Sequence, residues 1–400
     1  MSVFQHRCLY FSSCTIIMSA TVTVDRTSKL TVHEAPNKDS NDVKQEDLSG
    51  RNYIRWDSEG VEKIPDDEED DINAVAEQIN QIQKAQWNVH RHCYSGTHAR
   101  THGIVKGSFV VHDNLPKHLQ QGELFSKAGE FPIVARYSTE PGDPGLDDRI
   151  PVPRGFAMKL FGVEGDMYEN YPTHDIEFNS TPALDLATAK VTREIIDLRI
   201  KYGHDQEELR KQLEKRNDTE LQTARDKVRN THLESTRQYS QTAYRFGDYV
   251  MKYCLVPSGE TQRKLYDETV RPEDGSDILH RWLQNFHASH DAEYLFQVQL
   301  CENLEDQPVE YAGKVWDPEK YPWQTVATVK IPKQESFDFE RKTFWEDHMR
   351  VDPWHGLKSY QPLGGPNRLR RVVYPASSAL RRKMNGRKEM HVTKLDDIPN

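Results

Sequence analysis

Six stretches rich in β-branched and aromatic residues, bounded by glycine and proline, are interrupted once by a long polar insertion. No other feature restricts the fold as much. The stretches are residues 103–111, 133–138 and 155–162 before the insertion, then 244–255, 294–300 and 325–331 after it. Each is too short for a typical helix and alternates or clusters its apolar residues as a strand with one buried face does. The insertion, about 184–240, contains no proline and carries Glu/Lys/Arg/Gln-rich runs such as 205–216. It predicts two or three helices packed outside the strands. Strands on either side of one helical block predict an α+β chain built on an antiparallel barrel or sandwich, not a doubly wound parallel sheet.

At 400 residues the chain is long enough to bury a substantial core. Residues 22–65 are rich in Asp, Asn, Ser, Lys and Glu without periodicity, which predicts a mobile arm. The acidic run Asp66-Asp67-Glu68-Glu69-Asp70-Asp71 follows, and Ile72, Val75, Ala76, Ile79 and Ile82 then recur at helical spacing. Negative charge suits a helix N-terminus, so 72 to about 86 reads as an amphipathic helix. The expected division is a flexible arm over 1–71 and one domain over 72–400. Residues 1–20 are acid-free and read as a weak organelle presequence, or as a segment preceding an alternative start at Met18. A net charge of −10 argues against nucleic acid as a partner, and no apolar run is long enough to span a membrane. Five widely spaced cysteines with no CxxC pair suit a reducing compartment. The cytoplasm is therefore expected, with the mitochondrion as the alternative.

Two clusters carry candidate chemistry. Near the end, Tyr374 stands between Arg370 and Arg381. Nearby guanidiniums favour the phenolate, a hard anionic ligand for iron, and a helix would place Arg370 one turn from Tyr374. Pro375 suits a helix start better than an interior. The second cluster is His90, His92, Cys93, His98 and His102, the densest set of candidate metal ligands. His98 and His102 have i, i+4 spacing, but Gly96 and Gly103 weaken a helix there and no second ligand pair follows, which disfavours zinc. His90, His92 and His102 read as solvent-facing.

Four blocks taken together resemble the haem catalases. Thr97-His98-Ala99-Arg100-Thr101-His102-Gly103 is similar to the block holding their essential histidine. The stretch from Arg136-Tyr137-Ser138-Thr139 to Pro153-Arg154-Gly155-Phe156-Ala157-Met158-Lys159 is similar to their signature at the same internal spacing. Asp175-Ile176-Glu177-Phe178-Asn179-Ser180-Thr181-Pro182 looks like the stretch that supplies their distal asparagine. Arg370, Tyr374, Pro375 and Arg381 hold the spacing of their proximal ligand motif. Four blocks in family order are far more specific than any one. The resemblance implies a catalase-type antiparallel β-barrel with a helical insertion and a C-terminal proximal-ligand helix, binding haem b. It further implies Tyr374 as the iron ligand supported by Arg370, Arg136 and Arg381 as partners of the propionates, His98 as the acid/base group and Asn179 as a hydrogen-bond donor to substrate.

The chain departs from the family pattern at several positions. Thr97 stands where catalases have valine, as resembles the catalase-related allene oxide synthases. Ser180 replaces the second of two adjacent asparagines, Ala183-Leu184-Asp185 replaces channel aromatics, and Ser95 stands for an arginine. From Tyr374 the chain runs only to Asn400, like the small catalase-related peroxidases. The expected activity is a haem-dependent oxidoreductase of hydrogen peroxide or an organic or lipid hydroperoxide, in a chain that can form a homo-oligomer. The alternatives are a fatty-acid hydroperoxide isomerase or a non-catalytic haem- or lipid-binding barrel.

Overall fold

Alternation of side chains across the strands builds the centre of the molecule. The structure is a computed structural model and describes residues 48–400. Its strands are β1 (Arg100–Val111), β2 (Gly129–Thr139), β3 (Arg154–Phe161), β4 (Thr173–Asn179), β5 (Gln238–Tyr239), β6 (Tyr244–Phe246), β7 (Tyr249–Pro257), β8 (Ala292–Leu300) and β9 (Gln324–Ile331). Every pairing is antiparallel, in the order β5-β4-β3-β2-β1-β9-β8-β7-β6, and β5 also pairs with β7. That last contact closes a barrel of eight strands, with β6 added to β7 as a hairpin turning at Gly247 (φ 59°). The expected antiparallel barrel is therefore what forms. The closing strand is two residues long, with Tyr239 opposite Asn179 on one side and Cys254 on the other.

One face of each strand fills the barrel. Phe109, Tyr137, Phe156, Met158, Phe178, Tyr253, Tyr294 and Phe296 are buried in one core, each contributing about 2 kcal/mol by burial. Tyr137 and Tyr294 hydroxyls satisfy each other there at 2.8 Å. The alternate residues of β2, β3 and β4 point outward: Arg136 and Ser138, Gly155 and Ala157, Glu177 and Asn179. This outer face forms one wall of the candidate site.

The helices are α1 (Glu68–His90), α2 (Gly122–Phe125), α3 (Ala189–Tyr202), α4 (Gln206–Glu214), α5 (Thr219–Ala224), α6 (Glu260–Leu265), α7 (Ile278–Ser289), α8 (Phe339–His348) and α9 (Gly365–Asn385). The acidic run opens α1 as expected, with four carboxylates in its first turn. Ile72, Val75 and Ile79 of α1 pack on Leu369 and Val373 of α9 and on Ala189 of α3. The insertion supplies α3, α4 and α5; Thr188 and Asp205 cap the first two by accepting from backbone N–H groups. Pro375 lies inside α9, not at its start, and cannot donate to the carbonyl one turn back.

Of the segment expected as an arm, the part from Leu48 onward is anchored. Leu48 and Val61 are buried, Ile54 exchanges backbone hydrogen bonds with Cys301 and Val250, and Arg368 binds Glu62, Glu68 and Glu310 together. Its polar composition hid a few apolar anchors that find places on the barrel. The presequence, Met18, Cys8 and Cys14 lie outside the described residues. Cys93, Cys254 and Cys301 are buried, and none forms a disulfide among the described residues. Among the described residues no helix is long and apolar enough to cross a membrane.

Candidate active site

His98 enters the site from the loop before β1 with φ at 53°, a left-handed conformation that costs a non-glycine residue about 1 kcal/mol. Two contacts hold it there. Its N–H donates to the Glu140 carbonyl, and its own carbonyl accepts from Arg136 Nη2, each at 2.5 Å. The imidazole lies against Gly155, where a Cβ would overlap the ring. Its Nδ1 is 3.0 Å from Ser138 Oγ, which leaves Nε2 for a ligand. Burial, then Arg136, Arg370 and Arg225, push its pKa down to about 3, so the ring is neutral at ordinary pH.

Residues around His98 have different fates. His102 is the extra residue of a bulge between Thr101 and Gly103; it is fully buried and its Nε2 lies 2.7 Å from Thr139 Oγ1. The expectation that it faces solvent is corrected: the bulge turns it inward. His90 is exposed, while His92 is half-buried with Nε2 3.0 Å from Asp347. Thr97 is half-buried, and its hydroxyl makes no hydrogen bond among the described residues. Asn179 pairs with Gly155 across β3 and β4, and its Oδ1 accepts only a long 3.4 Å contact from Thr181. Ser180 instead exchanges hydrogen bonds with the Arg154 backbone.

The opposite wall is α9. Arg370 Nη1 donates to Asn367 Oδ1 at 3.0 Å and to Thr242 Oγ1 at 3.2 Å. Tyr374 follows one turn on, and Glu177 and Arg370 are the charged groups that act on its phenol. Burial holds the Tyr374 phenol well above the ordinary tyrosine range; Glu177 adds to this and Arg370 opposes it. The arginine alone therefore does not make a phenolate, and ionisation needs a further cation, as a bound metal supplies. Burial also pushes the Glu177 carboxyl up to about 8, against the pull of Arg370.

At one edge, Arg136 and Arg381 approach each other. Arg136 Nε donates to Thr101 Oγ1 at 2.9 Å; Arg381 donates to Ser95 Oγ at 2.9 Å and to the Met349 carbonyl at 2.8 Å. Arg381 Nε makes no hydrogen bond. Among the described residues none of Arg136, Arg370 and Arg381 has a carboxylate at ion-pair distance, although Arg136 and Arg381 are buried. Uncompensated buried cations call for anions from elsewhere. Two propionates near Arg136 and Arg381 and a phenolate beside Arg370 would meet that need. The residues present fit a haem.

Two functional candidates escaped the sequence reading. Ser138 and Glu177 stood inside the quoted blocks, and strand parity with Arg136 and Asn179 places each on the site face. Asp185, where channel aromatics were expected, binds Arg199 at 2.6 Å and Arg225 at 3.0 Å, and Arg225 also binds Glu140 beside His98. The insertion is thus tied to the site by buried ion pairs.

No family model matches the chain. A catalase of Schizosaccharomyces pombe is 37% identical over 90 residues, which cover 22% of this chain and 16% of that protein. A linolenate 9R-lipoxygenase of Nostoc sp. is 24% identical over 264 residues, 60% of this chain and 32% of that one. Among solved structures, a fungal catalase superposes with a TM-score of 0.54 at 16% identity, covering 77% of this chain and 65% of that chain. The matched stretches span less than two thirds of each of these proteins. The chain therefore has the barrel fold of the catalases and stretches of sequence similar to theirs.

Proposed function

We propose that the chain holds haem b between the barrel wall and α9 and acts on a peroxide, as a peroxidase or catalase. What supports the reading is that His98, its Nδ1 engaged by Ser138, feels the charges of Arg136 and Arg370, which like Arg381 have no carboxylate at ion-pair distance among the described residues. Tyr374 would bind the iron, Arg370 would balance the phenolate, and Arg136 and Arg381 would pair with the propionates. Bound haem would supply the redox step, the cleavage of the O–O bond.

The protein's own residues supply the proton movements. A neutral His98 takes a proton from the near oxygen of the peroxide on Nε2 and returns it to the departing oxygen. Ser138 fixes the ring so that one nitrogen does both jobs. The Asn179 amide donates to the peroxide without competing for its proton. The likeness to a lipoxygenase of linolenate, together with the uncommitted Thr97 hydroxyl beside His98, supports a second reading in which the peroxide is a fatty-acid hydroperoxide and the product an isomer.

The absorption spectrum of protein expressed with haem supplied tests the proposal. A Soret band of ferric haem bound by phenolate is expected in wild type, lost or shifted in Tyr374→Phe; on adding hydrogen peroxide, a catalase releases oxygen, whereas a peroxidase oxidises an added reducing substrate without oxygen release. Wild type that carries no haem rejects the reading.

A further inference from the structure

A cavity of about 220 Å³ beside the candidate site is not used by the proposed chemistry. The three residues after His98, namely Ala99, Arg100 and Thr101, line it together with Tyr94, His280 and Phe337. Thr101 joins it to the site: its hydroxyl accepts from Arg136 Nε at 2.9 Å and donates to Glu346, another lining residue, at 2.6 Å. The charged groups of the lining are already paired. Arg100 binds Asp148 at 2.9 Å, Asp277 binds Arg281 at 2.9 Å, and Lys342 binds Glu346 at 2.6 Å. A cavity with no unpaired charge favours an uncharged guest. His280 Nδ1 donates to the His102 carbonyl at 2.8 Å, which makes Nε2 the acceptor of the uncharged ring. No hydrogen bond reaches that nitrogen among the described residues. Phe337 stands edge-on to the His280 ring with centroids 4.4 Å apart. Phe339 stands edge-on to Phe337 at 5.4 Å and is 76% exposed, so the aromatic face continues to the surface.

Aromatic faces beside one open acceptor suit a small neutral phenol, whose O–H donates to His280 Nε2 while its ring packs on Phe337. We propose that this cavity binds a phenolic reductant for the peroxidase reaction. The proposal rests on the peroxide reading above and selects its peroxidase form. Two phenols each give up one proton and one electron, the peroxide ROOH leaves as ROH and water, and two phenoxyl radicals remain. His280 Nε2 receives the phenolic proton and releases it to solvent, from which the peroxide oxygens draw theirs. The Thr101 bridge sets the cavity next to Arg136, a residue proposed above to hold a propionate.

The test is read without turnover. Binding of p-cresol and of 4-methylanisole, the same ring without an O–H, is measured by calorimetry on the full chain with and without hemin, for wild type, His280→Phe and Phe337→Ala. Wild type is expected to bind p-cresol about tenfold tighter than the ether, the scale of one hydrogen bond. In His280→Phe the two probes are expected to bind alike. Phe337→Ala is expected to weaken both about fivefold by loss of one aromatic contact. Equal affinity of wild type for the two probes overturns the proposal. So does unchanged affinity for p-cresol in every folded variant, which would place its binding elsewhere. Phe337 is half-buried in the loop before α8, so its variant carries the test should His280→Phe not fold. A wild type that discriminates the probes but takes up no hemin keeps the phenol site and rejects the peroxide reading, and with it the role of reductant.

Discussion

Gly155 lies directly beneath the imidazole of His98, so that a single methyl group added there would overlap Nδ1 and crowd Ser138 Oγ. Gly155 sits in regular strand pairing and its backbone is open to alanine, so the substitution acts on the ring and not on the strand. Overpacking of this kind costs about 1–3 kcal/mol of stability. In Gly155→Ala the imidazole loses its place on Ser138, and peroxide turnover is expected to fall by about a hundredfold, the scale of a misplaced catalytic group. Haem content should stay near wild type, because no haem-holding residue touches Gly155. Equal turnover per haem in the variant would show that the position of His98 does not matter.

Arg381 illustrates the tension between stability and binding. It is buried beside Arg136 and Arg382, with Glu346 and Asp347 offsetting it only in part, and its Nε has no partner. An apolar side chain of similar length removes an uncompensated buried charge at the cost of two hydrogen bonds, to Ser95 and Met349. Arg381→Met is therefore expected to stabilise the apo protein by about 1 kcal/mol in urea denaturation. The same change removes a propionate partner, and hemin affinity should drop about tenfold, the scale of one charge-assisted hydrogen bond. A variant that loses stability and keeps its affinity would contradict both halves of this account.

The barrel was legible because its strands announce themselves by period: 103–111, 133–138 and 325–331 all fall within observed strands. The exceptions are instructive. β4 carries Asp175, Glu177 and Asn179 between its apolar residues because its outer face is polar and forms the site wall, so the apolar signal is weak. β5, two residues long, has no period at all, although it closes the barrel. α7 spaces Leu279, Leu283 and Phe286 on one buried face, a pattern available in the sequence but outweighed by the strands beside it. On the site, Arg370, Tyr374 and Arg381 share one helix and could be related by spacing. His98, Ser138 and Gly155 come from three separate segments, and only the strand register brings them together.

The loop between β3 and β4 supplies a pH-dependent contact that can be isolated from the site chemistry. Glu169 Oε2 lies 3.0 Å from His355 Nδ1, and Glu169 Oε1 accepts from Arg350 at 2.5 Å. The His355 hydrogen bond, with help from Arg350, pulls the Glu169 carboxyl down to about 2. A depressed folded-state pKa means that the carboxylate stabilises the fold above its unfolded pKa of about 4.3 and loses that contribution as pH falls toward the folded value. The side chain is 37% exposed, so screening reduces the contribution at neutral pH to about 1 kcal/mol. Thermal denaturation of wild type and Glu169→Gln from pH 7 to pH 2 should show wild type ahead by that amount down to about pH 4.5. The gap should close between there and about pH 2. A gap that stays constant across the range would assign the effect to packing, and one that widens in acid would reverse the sign argued here.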